Sequence, residues 1–279
     1  VTPRQQALDY LRRLGEADDS DIDVAEAALA LAVLDHPTDL TPYRAHLAAL
    51  GADLGALMRN VPDGLPDRVT ALGRLLAQHG YAGDSETYED LQNANLIRVI
   101  DRRRGLPVSL GILLMSAARA QGWDMLGLNF PGHFLLRLDH GGGRQIIDPF
   151  DGASPRGPRE LRDMLKQTAG LESELTPDHY APVSNREVLL RLQNNLKLRH
   201  LSTDQPDKAL AVIEDMLLFA PQHIGLWRES GLLNAHLGKL TAGIQAFENF
   251  LRIGEARGAS PQLLDHTRSL LKQLRGRLN

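Results

Sequence analysis

The 279-residue chain contains no cysteine. That excludes disulfides, a thiol nucleophile and metal sites built on thiolates, and it fits a reducing compartment, so a cytoplasmic location is expected. No apolar run approaches the roughly 20 residues that a membrane-spanning helix needs, so no membrane partner is expected. Charge of one sign is lacking too. The 31 Lys and Arg stand against 35 Asp and Glu, a net charge of −4, with the signs mixed along the chain. Nucleic-acid binding, which usually needs a basic face, is therefore not expected. The longest basic cluster, Arg102-Arg103-Arg104, reads as a solvated turn before a helix. The opening residues, VTPRQQALDYLRRL, lack the apolar core of a secretion signal. What is present is a globular composition, 43% hydrophobic and 24% charged. The length suits one large domain or two ordinary ones.

Residues 1–82 read as a helical N-terminal region. Thr2-Pro3 caps a first helix carrying Leu8, Leu11 and Leu14 at helical spacing. Asp18, Asp19, Ser20 and Asp21 suit the start of a second, whose stripe is Val24, Ala27, Ala28, Leu31 and Leu34. Thr41-Pro42 opens a third helix through Leu57. Residues 65–79 form a fourth, closed by Gly80. His36, His46 and His79 read as isolated surface or helix-end residues.

From residue 88 the pattern changes. Asn93, Leu96 and Val99 suggest a short helix, which Gly105-Leu106-Pro107 breaks. Residues 108–120 are too apolar all round for a surface helix and predict a buried central one. Strand-like runs follow at 123–130, 133–138 and 144–148, the last two joined by a hairpin loop over 139–143. A short helix is expected at 160–167 and a linker at 171–183. The core is expected over residues 83–170.

Residues 184–279 are helical and repeat. Trp227, Gly231, Gly238, Gly243 and Phe247 resemble the tetratricopeptide signature of a helix pair. A shift back by the ~34-residue period of that repeat sets Ile213 against Phe247, Ala209 against Gly243 and Met216 against Phe250. The earlier copy is degenerate, with Gln193 where Trp227 stands and Lys197 where Gly231 stands.

Three polar residues in the core stand in a chemically suggestive order. Ser109 opens the central helix, His133 follows Pro131-Gly132, and Asp148 ends the last strand-like run. A serine hydroxyl is a poor nucleophile until a histidine takes its proton and an aspartate orients that histidine. Unpaired N–H groups at the helix start are placed to stabilise an oxyanion. Singly, each residue has a plainer role: a helix cap, a satisfied polar side chain and a turn opening. The spacing of His133 and His140 supports no metal site, and Gly141-Gly142-Gly143 is no phosphate cradle. No cofactor is expected.

Residues 88–152 resemble the SirB-type branch of the transglutaminase-like superfamily. The matching pieces are Asn93, Arg103-Arg104-Gly105-Leu106-Pro107-Val108-Ser109-Leu110, Ala117-Ala118-Arg119, Pro131-Gly132-His133-Phe134-Leu135-Leu136-Arg137 and Ile147-Asp148-Pro149-Phe150. The resemblance implies an α+β protein: a helical N-terminal region, a papain/transglutaminase-like core of central helix plus antiparallel sheet, and a C-terminal α-helical repeat region. It sets Ser109 at the position of the nucleophilic Cys, His133 at the His and Asp148 at the Asp. Asn93 is a candidate to line the cleft. A thiolate beside a histidine exists near neutral pH and a serine alkoxide does not, so thiol acyl chemistry is lost. Two readings stand. In the favoured one the protein is a non-catalytic binding or regulatory protein, whose partner is another protein or a peptide held by the cleft or the repeats. In the alternative, Ser109, His133 and Asp148 form a hydrolase or acyltransferase acting on peptide or amide substrates. Oligomeric state is left open.

Overall fold

The computed structural model describes residues 2–278. It comprises two compact units, one of residues 1–10 and 18–192, the other of residues 11–17 and 193–279.

In the first unit, local signals set most helix starts. Helix α1 (Pro3–Glu16) begins where Thr2 Oγ1 accepts from Gln5 N at 3.2 Å. The acidic run does not cap the next helix as expected. It forms a 3-10 turn (Asp19–Asp21), and Asp23 is the cap of α2 (Val24–Asp35), accepting from Ala25 N and Glu26 N at 3.0 Å. Asp19 instead accepts from Asn185 N and Arg186 N at 2.8 and 2.9 Å. Nor is α2 striped: from Val24 to Leu34 every residue but Glu26 is buried. Its alanines let neighbours approach from all sides, the pattern of a core helix. Helices α3 (Thr41–Leu57) and α4 (Leu65–Gln78) carry Pro42 and Pro66 as their second residues, and α4 ends just before Gly80, whose φ of +71° turns the chain away.

Two short parallel strands, β1 (Ala82–Gly83) and β2 (Arg104–Gly105), flank α5 (Leu96–Arg102). Arg103, at φ +58°, turns the chain from α5 into β2. His46 and His79 are not isolated. His46 Nε2 lies 2.7 Å from the Tyr81 hydroxyl and 2.6 Å from Arg103 Nη1, while His79 pairs with Asp53 at 2.9 Å. Burial, then the charge of Arg103, pulls the His46 imidazole down to about 4. A neutral ring is thus the acceptor that fixes Arg103 and the start of β2.

The central helix α6 (Pro107–Ala120) is buried from Pro107 through Met115 and at Ala117 and Ala118. It packs against α2, α3 and α5, and against β3 (Asp124–Gly127), the first strand of an antiparallel meander. The others are β4 (Leu136–His140), β5 (Gly143–Asp148) and β6 (Ser154–Arg156). The hairpin is tighter than expected. Gly141 and Gly142, at φ +58° and +78°, make a two-residue loop of the type that matches strand twist. Register pairs Leu136 with Ile147 and Asp148 with Ser154. Helix α7 (Pro158–Ala169) starts two residues earlier than expected, at a Pro, with Glu160 accepting from Gly157 N. The expected linker is partly tied down: Val183 N donates to Gly127 O and Asn129 N to Ala181 O, both at 2.9 Å.

Helix α8 (Asn185–Ser202) runs through the boundary between the units at residues 192 and 193. The second unit continues with α9 (Pro206–Phe219), α10 (Ile224–His236), α11 (Leu240–Ala256) and α12 (Pro261–Leu278), each of the last three packed on its predecessor. Residues 11–17 also belong here: a Cβ on Gly15 would lie 2.5 Å from Leu218 O. The repeat positions behave as their signature requires. Ala209, Ile213, Met216, Phe247 and Phe250 are buried, and Trp227 Nε1 donates to Pro221 O at 2.8 Å. Lys197, standing where a small residue would be, is buried and paired with Glu229. Gly231 lets α10 approach α11, since a Cβ there would meet the Phe247 ring at 2.4 Å. Phe247 is fully buried and has no room to yield. Gly231→Ala should therefore cost about 2 kcal/mol through overpacking. Thermal unfolding followed by Trp227 fluorescence in a Trp123→Phe background measures this.

Candidate functional site

Ser109 is the third residue of α6, behind Pro107 and Val108. It is 0% exposed. Its hydroxyl donates to backbone carbonyls, Asn93 O at 2.8 Å and Leu106 O at 3.0 Å. Gly105 makes room for it: a Cβ there would fall 2.7 Å from Ser109 Oγ. The hydroxyl thus ties the start of α6 to the turn before α5. Among the described residues no hydrogen bond joins it to His133.

His133 and Asp148 do meet. His133 Nε2 lies 2.9 Å from Asp148 Oδ1, with the imidazole 19% exposed and the carboxylate 4%. His133 does not begin a strand as expected. Gly132, at φ +70°, keeps the chain turning, and β4 starts three residues after His133. Two anchors fix this loop. Phe134 wedges its ring where Gly111 of α6 and Gly127 of β3 lack side chains, each of whose Cβ atoms would lie within 2.9 Å of it. Arg191 of α8 donates to His133 O at 3.1 Å, Phe130 O at 3.2 Å and Asn129 Oδ1 at 3.1 Å.

Asp148 ends β5 and accepts from Phe150 N at 3.0 Å, capping a 3-10 turn (Pro149–Asp151). Arg156 of β6 donates to it at 3.0 Å and to Asp151 at 2.7 Å. Register explains this contact: Arg156 faces Ile146, one diagonal step from Asp148 on the same sheet face. Burial pushes the Asp148 carboxyl up, but the hydrogen bonds and charges of His133 and Arg156 outweigh it, so the group sits below its ordinary value. An ionised carboxylate only accepts. Nε2 of a neutral His133 therefore carries the proton and Nδ1 is left as the acceptor.

Asn93 is fully buried and acts on the loop in front of it. Its amide donates to Thr87 O at 2.8 Å, and its oxygen accepts from Arg102 Nη1 at 3.1 Å. Arg102 also reaches Asp84 at 3.2 Å, and Asp84 accepts from Thr87 N and Oγ1. This network holds Tyr88, whose ring stands edge-on to Phe150 at 5.8 Å; Phe150 in turn stands perpendicular to His133 at 6.3 Å. Sequence reasoning did not single out Tyr88, Phe150, Arg156 or Arg191 as site residues. Phe150 carried the clearest signal, since it closes the Ile-Asp-Pro-Phe motif. No group of three or more His, Asp or Glu placed to hold a metal ion occurs among the described residues, and no helix there is long and apolar enough to cross a membrane.

A model of the transglutaminase-like superfamily matches residues 41–194, and a tetratricopeptide repeat model matches residues 196–274. The chain is 32% identical over 195 residues to a UPF0162 protein of Xylella fastidiosa, covering 67% of this chain and 68% of that one. It is 31% identical over 230 residues to a UPF0162 protein of Pseudomonas aeruginosa, covering 79% and 78%. It is also 29% identical over 175 residues to mouse F-box only protein 21, covering 56% of this chain and 28% of that protein.

Proposed function

We propose a non-catalytic binding or regulatory role for this chain, which belongs to the transglutaminase-like superfamily and carries a tetratricopeptide repeat after its core. One observation carries the reading: the Ser109 hydroxyl is fully buried and spent on two backbone carbonyls. A nucleophile must reach both its base and its substrate. This one reaches neither. What the core retains is a rigid imidazole–carboxylate pair beside an aromatic row, which suits recognition. A protein or peptide partner, in a cytoplasmic setting consistent with the cysteine-free composition, is part of this reading. The repeat offers a second face for such a partner, since these helix pairs commonly build binding surfaces.

The His133–Asp148 pair is the specific observation that favours the other reading, a serine-dependent amide hydrolase or acyltransferase. A fluorophosphonate probe separates the two. The wild type should label no more than Ser109→Ala or His133→Ala. Labelling of the wild type that both substitutions abolish, with folding intact, would overturn the non-catalytic role. Ser109→Ala is a fair control because it should cost only about 1 kcal/mol. Both carbonyls keep backbone donors, Leu106 N on Asn93 O at 3.2 Å and Leu110 N on Leu106 O at 3.1 Å.

A further inference from the structure

The geometry points to the row formed by Tyr88, Phe150 and His133 as a receptor for an arginine side chain of a partner peptide, an assignment that rests on the non-catalytic reading above. Each part of the row asks for the same chemistry. Tyr88 is 40% exposed and Phe150 half-buried, and their rings stand near-perpendicular, with Phe150 edge-on to the imidazole. Ring faces attract cations, guanidinium in particular, because it is planar and weakly hydrated. At the end of the row, Asp148 Oδ1 lies 2.9 Å from His133 Nε2, so the ring's other nitrogen, Nδ1, is the one left for an N–H donor when the imidazole is neutral.

The surrounding charge agrees. Arg102 faces Asp84 at 3.2 Å and Asp90 at 4.0 Å; Arg156 faces Asp148 at 3.0 Å and Asp151 at 2.7 Å. Two guanidiniums thus answer four carboxylates, and both groups keep a net negative charge. Residues 84–90, DSETYED, add Glu86 and contain no base. Burial first, then the fields of Glu89 and Asp148, holds the Tyr88 phenol above its ordinary value. An incoming arginine would stack on the exposed Tyr88 face, against Phe150, and donate from its edge to His133 Nδ1. A lysine ammonium has the charge without the plane, and citrulline has the plane without the charge.

The test titrates the full chain, carrying 13C-labelled aromatic and histidine rings, with acetyl-Gly-Arg-Gly-amide and with its citrulline, lysine and glutamate counterparts. The arginine peptide should shift the His133, Tyr88 and Phe150 ring signals saturably, and binding should weaken with added salt. Citrulline in the peptide, or Tyr88→Ala in the protein, should weaken binding about tenfold, while Tyr88→Phe should retain it. Tyr88 is exposed, so its truncation leaves the core intact. Equal binding of arginine and citrulline peptides, equal binding of arginine and lysine peptides, tighter binding of the glutamate peptide, or no shift at these rings would each overturn the assignment. Mass spectrometry of the recovered peptide keeps the two readings apart. An intact peptide that fails to bind removes this inference alone, whereas a cleaved or transferred peptide removes the non-catalytic reading itself.

Discussion

Asp148→Ala should destabilise the first unit by about 3 kcal/mol, near the lower end of what breaking a buried ion pair costs. The carboxylate is 4% exposed and accepts from three donors: His133 Nε2, Phe150 N and Arg156 Nη2. Truncation leaves the 3-10 turn uncapped and strips Arg156 of one of its two partners. The figure falls at the low end because His133 and Arg156 are each about a fifth exposed, so water recovers part of their loss. Asp148→Asn keeps an acceptor for Phe150 N and should cost less, about 2 kcal/mol. Urea unfolding in a Trp227→Phe background reads this unit alone, because Trp123 is then the only tryptophan. It is buried under the Arg68 guanidinium at 4.6 Å, so unfolding changes its surroundings sharply.

The same variant carries a pH signature. The Asp148 carboxyl sits below its ordinary value in the folded chain. As pH falls below about 4, the unfolded chain takes up this proton first and unfolding becomes easier. The stability that Asp148 contributes is fully present above that range and disappears as pH drops through its folded value. The gap between wild type and Asp148→Asn should therefore stay wide at neutral pH and narrow below about pH 4. A gap that widens toward acid would mean that the carboxyl is held protonated instead.

Elements with strong local punctuation were the readable ones. Helix α3 has its expected bounds, and α4 its expected start and a stop one residue earlier, because proline and glycine act within a turn of where they sit. The buried α6 was legible from apolarity alone. Several misses depend on residues far apart in sequence. Asp19 serves the start of α8 and not its own helix, a bond that spans 166 residues. His46 on α3, Tyr81 after α4 and Arg103 after α5 meet only through tertiary packing. At the site, the order of parts brought His133 and Asp148 together as the motif implies. The direction of the Ser109 hydroxyl was not readable. A serine in the first turn of a helix can face solvent or bond back to a carbonyl, and Gly105 and Asn93 O, which favour the second, are placed by the fold.

That direction can be tested by giving position 109 the atom the superfamily's nucleophile carries. The wild-type chain has no cysteine, so in Ser109→Cys every thiol signal comes from one site. A sulfur there would be buried and would face two carbonyl oxygens, which penalises the thiolate. Reaching it would require local opening, and an opening cost of about 3 kcal/mol slows reaction about 100-fold. The measurement is the iodoacetamide alkylation rate of Ser109→Cys between pH 6 and 8, with the urea-unfolded chain as reference. The folded protein should react at least about 100-fold more slowly than the unfolded chain, and His133→Ala should not change its rate. Alkylation as fast as in the unfolded chain at pH 6, slowed by His133→Ala, would show a thiolate–imidazolium pair at this position and contradict a structural role for Ser109.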